Sequence, residues 1–275
     1  MSAALRTEYR KLVTTRLWWV LLLGMAGYMA FIGATMAFVF TVEGAMGGAG
    51  LPAGDPSAAP VLDPAAVAAT VYTLAASLGY IFPVAVGALS VTGEFRHMTI
   101  TPTFLAEPRR SVVLVAKLLA SLPVGLAFGL VGTASTVAGG AAVLALRGEE
   151  TLLGDPEMLR TLGLTVLALT VWCMVGVGFG AAVTNQVAAV VALLAFTQLV
   201  EPLLRMFLGA FDATSGLSSW LPGAAGEAIT GASLYAATGI AADLLPWWQG
   251  LLVLVAYGLV LAAIGRLTSW RRDIT

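Results

Sequence analysis

Six stretches of the chain stay apolar long enough to cross a bilayer, and polar residues gather mainly between them. A helix needs roughly 20 such residues to traverse a hydrocarbon core about 30 Å thick. The qualifying segments run from Leu17 to Val42, Ala65 to Val91, Ser111 to Leu146, Leu159 to Val183, Gln186 to Leu208 and Trp247 to Leu267. The first continues well past the roughly 7–15 residues of a signal-peptide core, so a retained span is expected. Only Thr184, Asn185 and Gln186 separate the fourth from the fifth, which predicts a tight hairpin. The expected fold is an all-α membrane protein, one domain over residues 1–275 with six transmembrane helices.

The polar segments add detail. Leu5, Tyr9, Leu12 and Arg16 recur at helical spacing beside Arg6, Arg10 and Lys11. That pattern predicts an interfacial amphipathic helix over residues 1–16, with Tyr9, Lys11 and Arg16 at the membrane surface. Residues 44–60 are rich in Gly and Pro and are expected to be irregular. Residues 211–246 hold no Lys or Arg, and are too apolar for an ordinary loop yet too interrupted by Gly for a span. They are expected to dip into the membrane between the fifth and sixth helices, where protein or water must satisfy the backbone.

Charge orients the spans, because cytoplasmic loops retain Lys and Arg. Arg6, Arg10, Lys11 and Arg16 precede the first span, Arg96, Arg109, Arg110 and Lys117 surround the loop after the second, and Arg266, Arg271 and Arg272 follow the sixth. All fall on one side of a six-span arrangement. The other side holds Glu43, Asp55, Asp63, Glu149, Glu150, Asp155, Glu157, Asp212, Glu227 and Asp243, with only Arg147 and Arg160 dissenting. Both termini are therefore expected in the cytoplasm. Trp18, Trp19 and Trp270 mark the inner interface, and Trp220, Trp247 and Trp248 the outer one.

Composition narrows the chemistry. The chain is 59% hydrophobic and 11% charged, against about 25% charged in a soluble domain. A net charge of -1 argues against nucleic acid as a partner. Cys173 is the lone cysteine and His97 the lone histidine, so neither builds a disulfide or a metal cluster. The segment GVGFGA at 176–181 fits a dinucleotide fingerprint, but it lies within an apolar run rather than between a strand and a helix. Gly176 and Gly180 are better explained as a face for close helix contact, as are Gly125 and Gly129. No Gly-Lys-Ser/Thr sequence ends a phosphate loop, so no catalytic, metal or nucleotide site is expected in this chain.

An ionisable residue inside a span is expensive and by default a functional candidate. Glu201 lies roughly 22 Å across the fifth span, counted at about 1.5 Å per residue. Gln198, Glu201 and Arg205 are expected on one face, with Glu four residues before Arg. Two accounts stand: Glu201 and Arg205 neutralise each other for burial, or they line a route near its outer exit, with Pro202 loosening the helix. In the second span Ala75, Gly79, Pro83 and Gly87 recur every four residues, which predicts close packing with a kink at Pro83.

Residues 92–110 are longer and more mixed than a simple connection needs. Phe95, Met98, Phe104 and Leu105 stand among Glu94, Arg96, His97, Glu107, Arg109 and Arg110. This composition predicts a docking surface for a soluble protein, with Phe95 and Met98 as anchors and Glu94, Arg96 and His97 around them.

With EYRKLVTTRLWW near the amino terminus, GEFRHMTITPTFLAEPRRSVVLVAK between the second and third spans, and RLTSWRRDIT at the other end, the chain resembles an ABC-2 type permease. That family forms the membrane half of ATP-binding-cassette transporters. The resemblance covers essentially the whole chain and extends to the six-span layout with a large last outer loop. It implies coupling to an ATP-binding subunit through Glu94, Phe95, Arg96, His97 and Met98 and through the N-terminal helix, and pairing with a second permease subunit. The second and fifth spans would line the path, with Phe82, Gln198, Glu201 and Arg205 as candidates. ATP and Mg would bind the partner, and a small amphipathic or hydrophobic molecule would be exported across a bacterial plasma membrane. The alternative is an ion-coupled secondary transporter that titrates Glu201.

Overall fold

Where no water competes, a backbone must satisfy its own hydrogen bonds, and a continuous apolar sequence does so as a helix. The computed structural model describes residues 2–42, 64–233 and 244–270. Among them there are no strands, and six helices are long and apolar enough to span a membrane. These are Arg16–Thr41, Ala65–Arg96, Arg110–Leu146, Pro156–Ala182, Gln186–Gly209 and Trp247–Leu267. The chain is thus a multi-pass membrane protein. The expected irregular stretch 44–60, part of the expected dipping segment (234–243), and Arg271 and Arg272 lie outside the described residues.

Local signals set the ends. The amino-terminal helix Ser2–Thr14 stops where Thr15 takes an extended backbone (φ -75°, ψ 144°). The indole of Trp18 braces that corner by donating to the Val13 carbonyl at 2.9 Å. Asp155 caps the fourth span by accepting from the Glu157 N–H at 3.0 Å, with Pro156 at the first position. Asn185 caps the fifth in the same way, accepting from Ala188 N–H at 3.0 Å. It closes the tight hairpin. The second helix runs to Arg96, past the expected Val91, so residues 92–96 of the expected loop are helical. A further short helix, Ile100–Ala106, follows.

The fourth span is the centre of the bundle, because its glycines let neighbours approach to backbone contact. A methyl group on Gly176 would collide with the Val84 carbonyl of the second span, and one on Gly180 would sit 2.5 Å from the Ala88 carbonyl. Gly125 and Gly129 of the third span meet the Thr170 and Val166 carbonyls at 2.7 Å each on the same terms. A methyl group on Gly178 would likewise collide with the Gly258 carbonyl of the sixth span. Lipid is as apolar as the side chains, so close packing rather than hydrophobic burial holds such helices together. The first and fifth spans are peripheral: 22% of each is buried, against 67% of the second.

Two spans contain π-helical turns, each just ahead of a proline. Ala75–Gly79 precedes Pro83, and Phe196–Val200 precedes Pro202. Proline lacks an N–H and clashes with the carbonyl four residues back, which is Gly79 in one case and Gln198 in the other. A wider turn relieves that clash. In the fifth span the Glu201 N–H bonds to the Phe196 carbonyl across five residues. The next such bond, from Pro202 to Thr197, has no donor. The Tyr80 hydroxyl takes its place at 3.4 Å, while its ring stacks on Trp172 with centroids 4.3 Å apart. The extra residue also turns Gln198 away from its expected face: Gln198 is exposed, whereas Glu201 and Arg205 are buried.

Between the fifth and sixth spans, Pro222–Thr230 is a helix buried along its whole length against the fourth and sixth spans. Gly231, at φ 75°, ends it in the left-handed region that favours glycine.

Candidate functional site

The basic end of the bundle is organised around Glu94, at the foot of the second span. Its Oε1 accepts from Lys117 Nζ at 2.6 Å and from Lys11 Nζ at 3.0 Å. Glu8 of the amino-terminal helix closes the set, holding Lys117 at 2.5 Å and Lys11 at 2.7 Å. Lys11 also donates to the Thr103 hydroxyl of the 100–106 helix at 3.0 Å. Two acids and two lysines, the only lysines in the chain, thus join four elements in a neutral cluster. Lys117 is 3% exposed and Glu8 5%. Removing one partner from such a cluster leaves a buried charge uncompensated.

Burial pulls the Lys11 ammonium down, but its hydrogen bond to Glu8 and the charges of Glu94 and Glu8 outweigh this and hold it above the ordinary 10.5. Its contribution to the fold is complete below that value and fades only as pH rises through the higher folded one. The junction is therefore insensitive to pH near neutrality at this position.

An aromatic clamp grips the same segment from the other side. Trp270, just beyond the sixth span, is fully buried, with Phe104 at 5.3 Å and Phe95 at 6.3 Å between ring centroids. Arg110 donates to the Trp270 carbonyl and lies 5.1 Å over the Phe104 ring. This corrects the assignment of Trp270 to an interfacial belt: it is core.

The expected docking residues divide accordingly. Glu94, expected around the contact, is buried, and Phe95, expected as an anchor, is half-buried against Trp270. Both still belong to the second helix and inherit its inward faces. Arg96, His97 and Met98 are exposed, with Arg96 donating to Gln186 Oε1 at 3.3 Å. Met98 is 59% exposed at φ 56°, a backbone region that non-glycine residues seldom adopt. Leu105, 79% exposed, is the other apolar residue at this tip. On the amino-terminal helix Lys11 turns inward and Tyr9 is exposed, whereas Arg16, expected on the same helix, opens the first span and is exposed there. The buried face is instead marked by Glu8. Behind the tip lies a cavity of about 600 Å³ lined by Lys11, Trp18, Ser90, Glu94, His97 and Lys117, among others.

Toward the acidic end, Glu201 and Arg205 meet as the four-residue spacing predicts, at 2.8 Å. A third member, Glu227 of the 222–230 helix, holds Arg205 Nη1 at 2.8 Å and accepts from the Ser233 hydroxyl at 2.5 Å. Glu201 Oε1 also accepts from the Gly223 and Ala224 N–H groups at 2.6 and 3.1 Å, receiving the start of that helix. All three charged residues are under 5% exposed. Their mutual contacts give the burial account of Glu201 and Arg205 its geometric support.

An apolar cavity of about 210 Å³ lies between the second, fourth, fifth and sixth spans, walled by Trp172, Phe179, Phe196, Pro222 and Tyr257 among others. None of the expected path residues lines it. Phe82 packs 5.8 Å from the ring of Tyr28 on the first span. No protein-family model matches the chain, and no curated protein is similar to it in sequence.

Proposed function

We propose that this chain is the permease subunit of an ABC-2 type transporter. Two permease subunits form the path, and a small amphipathic or hydrophobic molecule is exported with ATP and Mg handled by a separate ATP-binding subunit. Both termini and the Arg96–Met98 tip face the cytoplasm of a bacterial cell in this arrangement.

The observation that carries it is the bracing of residues 94–106. A push on a flexible loop is lost in the loop, whereas a segment fixed by ion pairs from Glu94 to Lys117 and Lys11 and by ring contact with Trp270 passes it to the helices. Met98 and Leu105 remain outside as apolar contacts, flanked by Arg96 and Arg109. Aromatic and long apolar residues in a charged surround are the usual anchors of a protein interface.

Gentle solubilisation of the tagged chain from its native membrane tests the proposal. A co-purifying protein with a phosphate-binding loop is expected, and Met98→Asp together with Leu105→Asp should release it while leaving the melting temperature unchanged. Uphill movement of cargo by the isolated chain, as the ion-coupled alternative requires, overturns it.

A further inference from the structure

The outer cluster does not balance its charge. Glu201, Arg205 and Glu227 sum to one negative charge at 1%, 4% and 1% exposure. Sequence excludes a hidden counter-charge nearby in the chain: Arg205 is the only Lys, Arg or His between Arg160 and Arg266. Leaving an uncompensated ion in such a place costs several kcal/mol, and a carboxyl group escapes that cost by keeping its proton.

The hydrogen bonds show which carboxyl does so. Arg205 Nε and Nη2 and the N–H groups of Gly223 and Ala224 all donate to Oε1 of Glu201, at 3.2, 2.8, 2.6 and 3.1 Å. Its Oε2 is fully buried and, among the described residues, has no partner. A carboxylate spreads its charge over both oxygens and attracts donors to both. A buried oxygen that attracts no donor while its twin takes four is the one that carries a proton. Glu227 also receives its cation and its hydroxyl on one oxygen, Oε2, at 2.8 and 2.5 Å, but among the described residues only in Glu201 is the second oxygen both buried and without a partner. A metal ion would require several oxygen ligands, and Glu201 offers one.

We propose that Glu201 is a proton-binding site in the membrane domain, its Oε2 protonated while the 222–230 helix is seated on the fifth span. Lifting that helix admits water, the O–H bond breaks, and the proton passes to that water. Among the described residues, the groups facing Glu201 are Arg205 on its own helix, Glu227 and the Gly223 and Ala224 amides on the 222–230 helix, and Tyr257 on the sixth span, within electrostatic reach and bonded to the Trp220 carbonyl at 3.2 Å. The proton binding follows from charge and burial in this chain alone, so it stands or falls separately from the permease assignment.

Infrared spectroscopy of the full chain in lipid nanodiscs at neutral pH reads the C=O stretch of a protonated carboxyl, identified by its shift in D2O. The wild type is expected to show that band and Glu201→Gln to lose it. Glu227→Gln should lose it as well, because Arg205 then faces a single carboxylate. Protonation of Glu227 would give the same two losses, so the assignment is read from the shorter acid: Glu201→Asp should move the band and Glu227→Asp should leave it in place. No band in the wild type, a band surviving either substitution to Gln, or a band moved by Glu227→Asp and not by Glu201→Asp overturns the proposal. If Glu201→Gln does not fold, the two Asp variants decide.

Discussion

Lys117 shows how one residue changes role between sequence and structure. Counted along the chain it is one more cation beside a basic loop, yet it lies within the third span, 3% exposed, and bridges Glu8 and Glu94. The signal was its position seven residues inside an apolar helix, where a charge requires a partner. Lys117→Met should therefore cost about 3–5 kcal/mol, since two buried carboxylates are left with Lys11 as their one cation. Thermal unfolding in detergent reads that loss, and adding either Glu8→Gln or Glu94→Gln should recover part of it, because the remaining acid then pairs with Lys11. The Glu201–Arg205 pair was legible because both partners share one helix. Glu227 was not, because it arrives from another element and looks like an ordinary outer-loop acid.

At the scale of elements, alternation of apolar runs and charged gaps placed all six spans within a few residues of their observed ends, apart from the longer tail of the second. What it missed is how they meet. Small residues four apart announced close contact, and Gly176 and Gly180 do lie against the second span, but only the structure makes the fourth span the shared partner. Gly176→Leu should destabilise the bundle by about 1–3 kcal/mol through overpacking against Val84. Gly163→Leu, on the same helix with open space around it, should not. Comparing melting temperatures of the two variants tests the claim. Pro83 and Pro202 were read as a kink and a loosening, and the structure resolves both as π turns upstream of the ring.

For the whole molecule, the arginine-rich and acid-rich ends predict an orientation that labelling can check. A cysteine at His97 and one at Leu153, both exposed, should react with an impermeant reagent from opposite faces of sealed vesicles. The native Cys173, 1% exposed, should stay silent. The family resemblance rested on the N-terminal segment, the 93–117 stretch and the C-terminal one, and the middle stretch contacts the other two through Glu94 and Lys117 to Lys11 and Glu8 and through Phe104 to Trp270. The two π turns carry a further implication. Each stores a surplus residue, and returning one to regular pitch would swivel the half-helix beyond it by about 100°. Because Tyr80, at the edge of the first turn, is bonded to Thr197 inside the second, neither can unwind its slack without tugging on the other. Adjacent helices are thereby geared together one turn ahead of the buried Glu201.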